Sequence, residues 1–187
     1  VWSVEELESL ATLARRNDRV MHMDGARLLN AANAKCLPAS RFARTCDSSW
    51  IDLSKGLGCP VGAVLGGTRD FIEAAWRWKH RLGGAMRQAG VLAAAGLYAL
   101  DHHVKRLADD HLTAARLAEM LRDIRGVRLV PEIVETNIVF IDIEQTGWKA
   151  FDLADALSAE GIGIGVHTAS RLRAVTPGAD GVSTSTD

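Results

Sequence analysis

The sequence predicts an α/β protein, with helices alternating with short strands and a smaller α/β unit toward its C-terminal end. Apolar residues recur at helical spacing in several segments, and short apolar runs bounded by turn-forming residues lie between them. The 187 residues are 48% hydrophobic and 24% charged, which is typical of a globular chain large enough to bury a core. Alternation of this kind favours a mostly parallel sheet.

The first part of the chain carries clear helix and strand signals. Ser3 and Glu6 have the spacing of a capping box, which predicts a helix ending near Asn17. A strand follows and is ended by Gly25, so that Asp24 is placed at its carboxyl end. The strands predicted in this part are 20–24, 50–53 and 61–65, and the later helices are 28–34 and 69–78, the second capped by Thr68.

The second part begins with a run rich in Ala, Leu and Gly over 86–100, which is too short for a membrane span and predicts a buried helix. Apolar residues at helical spacing over 104–121 predict the next helix. Strands over 127–130 and 137–143 and a helix over 148–160 then predict the smaller α/β unit. The polar residues 177–187 are expected to fray.

Several classes of protein are excluded by composition and spacing. The formal net charge of -1 and the absence of a basic stripe argue against nucleic-acid binding, and no apolar run reaches membrane-span length. Three cysteines without a C-x-x-C pair suggest neither disulfides nor a zinc ribbon. His102 and His103 are adjacent on a predicted helix and point about 100° apart, so they cannot share one metal ion. We therefore expect no metal site and, by default, a cytoplasmic location.

A single lysine in a glycine-rich turn is the most informative feature. Lys55 lies in Asp52-Leu53-Ser54-Lys55-Gly56-Leu57-Gly58-Cys59-Pro60-Val61-Gly62, after a predicted strand. A lysine that forms a Schiff base must be held near its cofactor and partly desolvated, and flanking glycines allow close approach of the backbone. An ordinary solvated turn lysine fits this segment equally well. The glycine spacing matches neither a P-loop nor a dinucleotide-binding motif.

A second motif places a carboxylate at a strand end, in His22-Met23-Asp24-Gly25-Ala26-Arg27. A pyridoxal phosphate enzyme needs a carboxylate against the pyridine nitrogen and a lysine for the aldehyde, and Asp24 and Lys55 can supply both. A turn or helix-capping role for Asp24 is the alternative. Arg87 and Arg173 lie beside apolar segments, where a guanidinium can grip a carboxylate, although ordinary ion pairs have the same pattern.

Together with Gly83-Gly84-Ala85-Met86-Arg87-Gln88-Ala89-Gly90, these two motifs resemble the threonine aldolase family of pyridoxal phosphate enzymes, within the aromatic amino acid β-eliminating lyase group. The resemblance covers about residues 1–176. It implies a fold-type-I enzyme in which 1–104 is the later portion of the cofactor-binding large domain and 105–187 is the small C-terminal α/β domain.

The resemblance also implies roles for single residues. Lys55 matches the lysine that forms the Schiff base, Asp24 the partner of the pyridine nitrogen, and Arg27 an arginine beside the cofactor. Arg87 matches an active-site position contributed across a subunit boundary, and Arg173 matches the arginine that holds the substrate carboxylate.

The implied reaction is cleavage of L-threonine or L-allo-threonine to glycine and acetaldehyde, in a homodimer or homotetramer with shared active sites. Family members also carry an N-terminal region with a phosphate-binding glycine loop, which these 187 residues lack, and Pro177 follows Thr176 where the family usually has histidine. Two alternatives stay open: another fold-type-I enzyme, either a β-eliminating lyase or a transaminase, and a truncated remnant without catalytic activity.

Overall fold

The structure, a computed structural model, describes residues 1–176, so the predicted fraying of 177–187 lies outside the described part. It confirms the predicted α/β class. The chain divides into two compact units, Val1–Leu107 and Ala108–Asp187. Within residues 1–176, no helix is both long enough and apolar enough to cross a membrane.

Five helices belong to the first unit. The predicted capping box is confirmed at the start of the first helix, where the Ser3 backbone N–H donates to Glu6 at 2.7 Å and the Glu6 N–H donates to Ser3 Oγ at 3.2 Å. Thr68 caps the fourth helix, as predicted. The helices are α1 (Val4–Arg16), α2 (Leu28–Ala34), α3 (Ala39–Ala43), α4 (Arg69–Arg81) and α5 (Gly90–His102), and a 3-10 turn, Val104–Arg106, follows.

The sheet of the first unit has three strands in the order β1 (His22–Gly25), β2 (Ser48–Asp52) and β3 (Ala63–Gly67). β1 and β2 are parallel, with Asp24 paired to Trp50, and β3 runs antiparallel to β2. Because β1 and β2 are parallel neighbours, the residues that follow both strands meet at the same edge of the sheet.

The two faces of this sheet differ in chemistry. Met23 and Ile51 point to one face and pack against the apolar cluster formed by Val4, Leu28, Ala32 and Phe42. Side chains alternate along a strand, so the opposite face carries the neighbours of these two residues. This polar face contains His22, Asp24, Ser48, Trp50 and Asp52.

Helix α5 differs from the expectation of burial. Only Gly96 and Ala99 are buried, whereas Val91 and Leu97 are 77% and 65% exposed within the described chain. The helix is apolar around its whole circumference, but only one side contacts the rest of its unit. On that side a Cβ at Gly96 would lie 3.1 Å from Leu53 Cδ1, so small residues allow α5 to approach the end of β2 closely.

The second unit packs helices against one antiparallel sheet. Its buried core combines small helix residues with strand aliphatics: Ala114, Ala118, Leu129, Val139, Ile141, Ile143, Ala150 and Leu172. The strands are β4 (Arg128–Leu129), β5 (Ile138–Asp142), β6 (Gly165–Thr168) and β7 (Arg171–Val175), in the order β4-β5-β7-β6. The helices are α6 (Leu107–Arg122) and α7 (Ala150–Ala159), with a 3-10 turn at Glu144–Thr146.

Candidate functional site

Lys55 lies in a closed turn, residues 54–59, directly after β2; we call it the Lys55 turn. The Gly58 N–H donates to the Lys55 carbonyl at 2.9 Å, and the Cys59 N–H donates to the Leu53 carbonyl at 2.9 Å. The backbone that carries the lysine is therefore held at both ends. The Lys55 side chain is 39% exposed, so its amine is accessible.

Asp52 is a site residue that the sequence analysis missed. Its Oδ1 accepts hydrogen bonds from the Ser54 N–H at 2.6 Å, the Ser54 hydroxyl at 2.7 Å and the Lys55 N–H at 3.2 Å. Its Oδ2 lies 3.0 Å from Lys55 Nζ. One carboxylate thus shapes the turn and holds the amine. An aspartate at the end of a strand and before a turn favours an Asx turn, in which its side chain accepts the backbone N–H two residues on, and this signal could have identified Asp52.

Opposing effects act on the Asp52 carboxyl. Burial raises its pKa, but the hydrogen bonds from Ser54 and Lys55, together with the charge of Lys55, outweigh burial and bring the pKa below its ordinary value. The group is therefore ionised at neutral pH. The Lys55 ammonium also lies 5.6 Å from the centroid of the Trp50 ring, where the ring face attracts a cation.

We expect Asp52→Asn to lower the free energy of unfolding at neutral pH by on the order of 1 kcal/mol, because asparagine keeps the Oδ1 acceptor but loses a charge that solvent partly screens. The folded pKa is depressed, so the stabilisation is present above the ordinary value, about pH 4, and is lost as pH falls through the folded pKa. Wild type and variant should therefore converge in acid.

Urea unfolding at neutral pH and at about pH 2–3 measures this convergence. Asp101→Asn is the control, because Asp101 is exposed on α5. A difference between wild type and Asp52→Asn that stays the same in acid would contradict the role of the Asp52 charge.

Asp24 lies on the polar face of the sheet near the end of β1 and is exposed. Its Oδ1 accepts the Ala26 N–H at 3.1 Å, which holds the carboxylate at the turn after the strand. Asp24 is paired with Trp50, and the Lys55 amine lies over the Trp50 ring. The predicted carboxylate, on β1, and the predicted amine, in the turn after β2, therefore lie on the same face of the sheet.

Arg27 lies in the turn between β1 and α2, directly before the first residue of the helix, and is half-buried. A narrow cleft of about 10 Å³ is lined by this turn, through Ala26 and Arg27, and by the end of β2 and the Lys55 turn, through Asp52 and Gly56. That volume is about the room of one water molecule. The turns that carry Arg27 and Lys55 thus lie side by side.

The two other predicted arginines lie elsewhere. Arg87 is exposed in the segment between α4 and α5. Arg173 lies in β7 of the second unit, paired with Phe140 and with Gly165, on the strand face opposite the buried Leu172. The structure places Asp24 and Lys55 on one face of the first unit's sheet and places the turn that carries Arg27 beside the Lys55 turn. The roles of all five residues stay predictions. Within residues 1–176, no group of His, Cys, Asp and Glu could hold a metal ion.

Comparison with known proteins identifies the family of the chain. The family model described as "Beta-eliminating lyase" matches residues 1–145, and the chain belongs to this family. It is 42% identical over 174 residues to low-specificity L-threonine aldolase 1 of Arabidopsis thaliana. It is also 40% identical over 168 residues to the low specificity L-threonine aldolase of Escherichia coli K12. The resemblance inferred from the motifs is confirmed.

These matches cover 92% and 90% of the chain but 49% of each relative, so the chain spans about half the length of the curated relatives it matches. Two solved structures show the same fold. A candidate L-allo-threonine aldolase of Listeria monocytogenes superposes with a TM-score of 0.81 at 24% identity, over 95% of this chain and 51% of that one. The threonine aldolase of Leishmania major gives a TM-score of 0.72 at 18% identity, over 96% and 53%.

Proposed function

We propose that this chain is the lysine-bearing part of a pyridoxal phosphate lyase that cleaves the Cα–Cβ bond of β-hydroxy-α-amino acids, L-threonine or L-allo-threonine among them, to glycine and an aldehyde. One observation carries the proposal: the Lys55 amine, in a closed turn, lies over the ring of Trp50, the residue paired with Asp24. Membership of the β-eliminating lyase family supports it.

The side chains at the ends of β1 and β2 fit pyridoxal phosphate by their chemistry. Lys55 supplies an accessible amine for the aldehyde, Asp24 supplies an exposed carboxylate for the pyridine nitrogen, and Arg27 lies in the turn next to the Lys55 turn. When bound, this cofactor supplies an electron sink for the bond that breaks. The Ala26 N–H keeps the Asp24 carboxylate in place, which favours a protonated pyridine nitrogen.

Asp52 and Trp50 act on the amine rather than on the cofactor. Asp52 Oδ2, at 3.0 Å, and the Trp50 ring, at 5.6 Å, hold Lys55 Nζ in one orientation on the polar face of the sheet. Because the side chain is already ordered, Lys55 loses less rotamer entropy when its amine reacts than a freely rotating lysine would. The closed backbone of the Lys55 turn has the same effect on the Cα position.

We propose that Arg173 holds the carboxylate of the amino acid substrate, since a guanidinium offers two parallel donors to a carboxylate. We also propose that Arg87 serves the site of a neighbouring subunit in a homodimer or homotetramer. The exposure of Arg87 between α4 and α5 supports this placement, because the side chain is available to a partner.

Product analysis tests the proposed reaction. The chain, loaded with pyridoxal phosphate, is incubated with L-threonine and with L-allo-threonine in separate reactions. Equal amounts of glycine and acetaldehyde, formed without an added keto acid, are expected. Ammonia and a four-carbon keto acid would instead indicate elimination, and strict dependence on an added keto acid would indicate amino transfer. Either result, or a folded chain that takes up no pyridoxal phosphate, contradicts the proposal.

Asp24→Asn is expected to lower the turnover number for cleavage by roughly 10- to 100-fold, because the amide keeps the shape of the side chain but removes a charge-assisted hydrogen bond to the pyridine nitrogen. Steady-state kinetics of glycine release measure the effect. Borohydride trapping of the cofactor on Lys55 is the control and should persist in the variant, since the amine is untouched. Unchanged turnover would refute this role for Asp24.

A further inference from the structure

We propose that His103 is a positioning residue that fixes the Lys55 turn by donating its Nδ1–H to the carbonyl oxygen of Leu57. The two atoms are 2.7 Å apart and join residues 46 positions apart in the chain. The importance of this bond for reactivity rests on the proposed role of Lys55. The bond itself does not depend on any cofactor.

The carbonyl of Leu57 lies in the middle of the Lys55 turn, and Leu57 is only 2% exposed. A carbonyl oxygen can only accept, so the proton of a neutral His103 ring must lie on Nδ1 in this arrangement. A buried carbonyl that loses its donor is costly, because water cannot easily replace the bond. Removing the His103 donor should therefore destabilise the closed form of the turn.

The ring of His103 is itself held in place. His103 is the C-cap residue directly after α5, and its backbone N–H donates to the Ala99 carbonyl at 2.8 Å. Its ring meets the Tyr98 ring edge to face, with centroids 5.5 Å apart. The neighbouring His102 also packs against Tyr98, at 4.3 Å, and offers a matched control.

A second contact joins the Lys55 turn to α5. The Cys59 thiol donates to the Ala95 carbonyl at 3.5 Å, and Cys59 is 6% exposed. Cys59 and the Leu57 carbonyl are thus two attachments of one turn to one helix. If the His103 bond is lost and the turn opens, the thiol of Cys59 becomes accessible, so its reactivity reports the opening directly.

The first experiment measures alkylation of the chain by iodoacetamide without cofactor. Trypsin separates the three cysteines onto peptides 36–41, 45–55 and 56–69, so each rate is read by mass spectrometry. His103→Leu keeps bulk but lacks a donor, and His103→Asn places an amide N–H near the position of Nδ1. His102→Leu is the matched control.

We expect His103→Leu to raise the alkylation rate of Cys59 by roughly 5- to 100-fold, with Cys36 and Cys46 unchanged. His103→Asn should restore the slow rate, and His102→Leu should not change it. His103→Ala, a second variant without the donor, should behave like His103→Leu. Equal Cys59 rates in wild type and both donorless variants, or no restoration by asparagine, would overturn the proposal.

The second experiment measures how fast Lys55 is labelled by pyridoxal phosphate and borohydride. Labelling should slow in His103→Leu and recover in His103→Asn, in the same order as the protection of Cys59. A wild-type chain that leaves Lys55 unlabelled contradicts the proposed function, whereas the cofactor-free Cys59 rates decide the role of His103 separately. Slow labelling in His103→Asn despite a protected Cys59 would overturn the link between His103 and Lys55.

Discussion

Replacing Lys55 with alanine is expected to abolish the visible absorption band that forms when pyridoxal phosphate is added to the chain. Lys55 Nζ lies over the ring of Trp50, and Trp50 is the strand partner of Asp24. The closed backbone of the Lys55 turn holds this amine on the polar face of the sheet. Any remaining affinity would come from contacts that do not involve the amine. The apparent dissociation constant should therefore rise by at least about 100-fold.

Lys79→Ala is the control for this experiment. Lys79 is exposed on α4 with its ammonium 4.8 Å from the centroid of the Trp76 ring, so it resembles Lys55 in lying over a tryptophan. The Lys79 variant should bind pyridoxal phosphate like wild type. An undiminished band in Lys55→Ala would show that the cofactor reacts with another amine and would contradict the assignment of Lys55.

Gly25→Ala is expected to destabilise the first unit by about 2–3 kcal/mol, the second large effect. A Cβ at Gly25 would overlap the carbonyl oxygen of Trp50 and would lie 3.3 Å from Leu28 Cβ. Backbone atoms cannot move aside as a flexible side chain can, so β1 must shift away from β2. That shift would separate Asp24 from Lys55, and pyridoxal phosphate binding should weaken together with stability.

Urea unfolding and pyridoxal phosphate titration of the same samples measure the two effects. Gly90→Ala is the matched control, because no neighbouring atom lies within 4 Å of a Cβ at this first position of α5. We expect it to be neutral or stabilising by a few tenths of a kcal/mol. A Gly25→Ala variant as stable as wild type would show that β1 and β2 tolerate a wider separation than the structure indicates.

Local sequence signals predicted those features of the fold and of the candidate site that depend on short stretches of chain. The capping box of Ser3 and Glu6 and the strand that carries Asp24 each involve neighbouring residues. The structure contains the capping box, and its strand His22–Gly25 ends one residue after Asp24. The glycines that follow Lys55 in the sequence indicated a turn there. These features do not depend on contacts between distant segments, so the local sequence pattern was sufficient to predict them.

Features that depend on contacts between distant segments were not predictable in this way. The bond from His103 to Leu57 joins the C-cap residue of α5 to the Lys55 turn, and no local sequence pattern near either residue indicates it. The exposure of Val91 on α5 was also missed, because an apolar composition does not show which side of a helix meets its unit.

Strand β7 was also not predicted, although the sequence contains a local signal for it. Arg171, Leu172 and Arg173 alternate in polarity at the period of a half-buried strand, and Leu172 is the buried member. Asp52 likewise had a local signal, because an aspartate between a strand and a glycine-rich turn favours an Asx turn. Both could have been read from the residues, and β7 would have placed Arg173 on a strand of the small unit.

The most direct test of the central claim is peptide mapping of the wild-type chain after addition of pyridoxal phosphate and reduction with borohydride. Trypsin does not cleave after a modified lysine, so label on Lys55 joins peptides 45–55 and 56–69 into a single peptide, 45–69, that carries the pyridoxyl mass. We predict this peptide as the main labelled product. A folded chain in which 45–55 and 56–69 remain separate and unlabelled, or in which label falls on another lysine, would contradict the account.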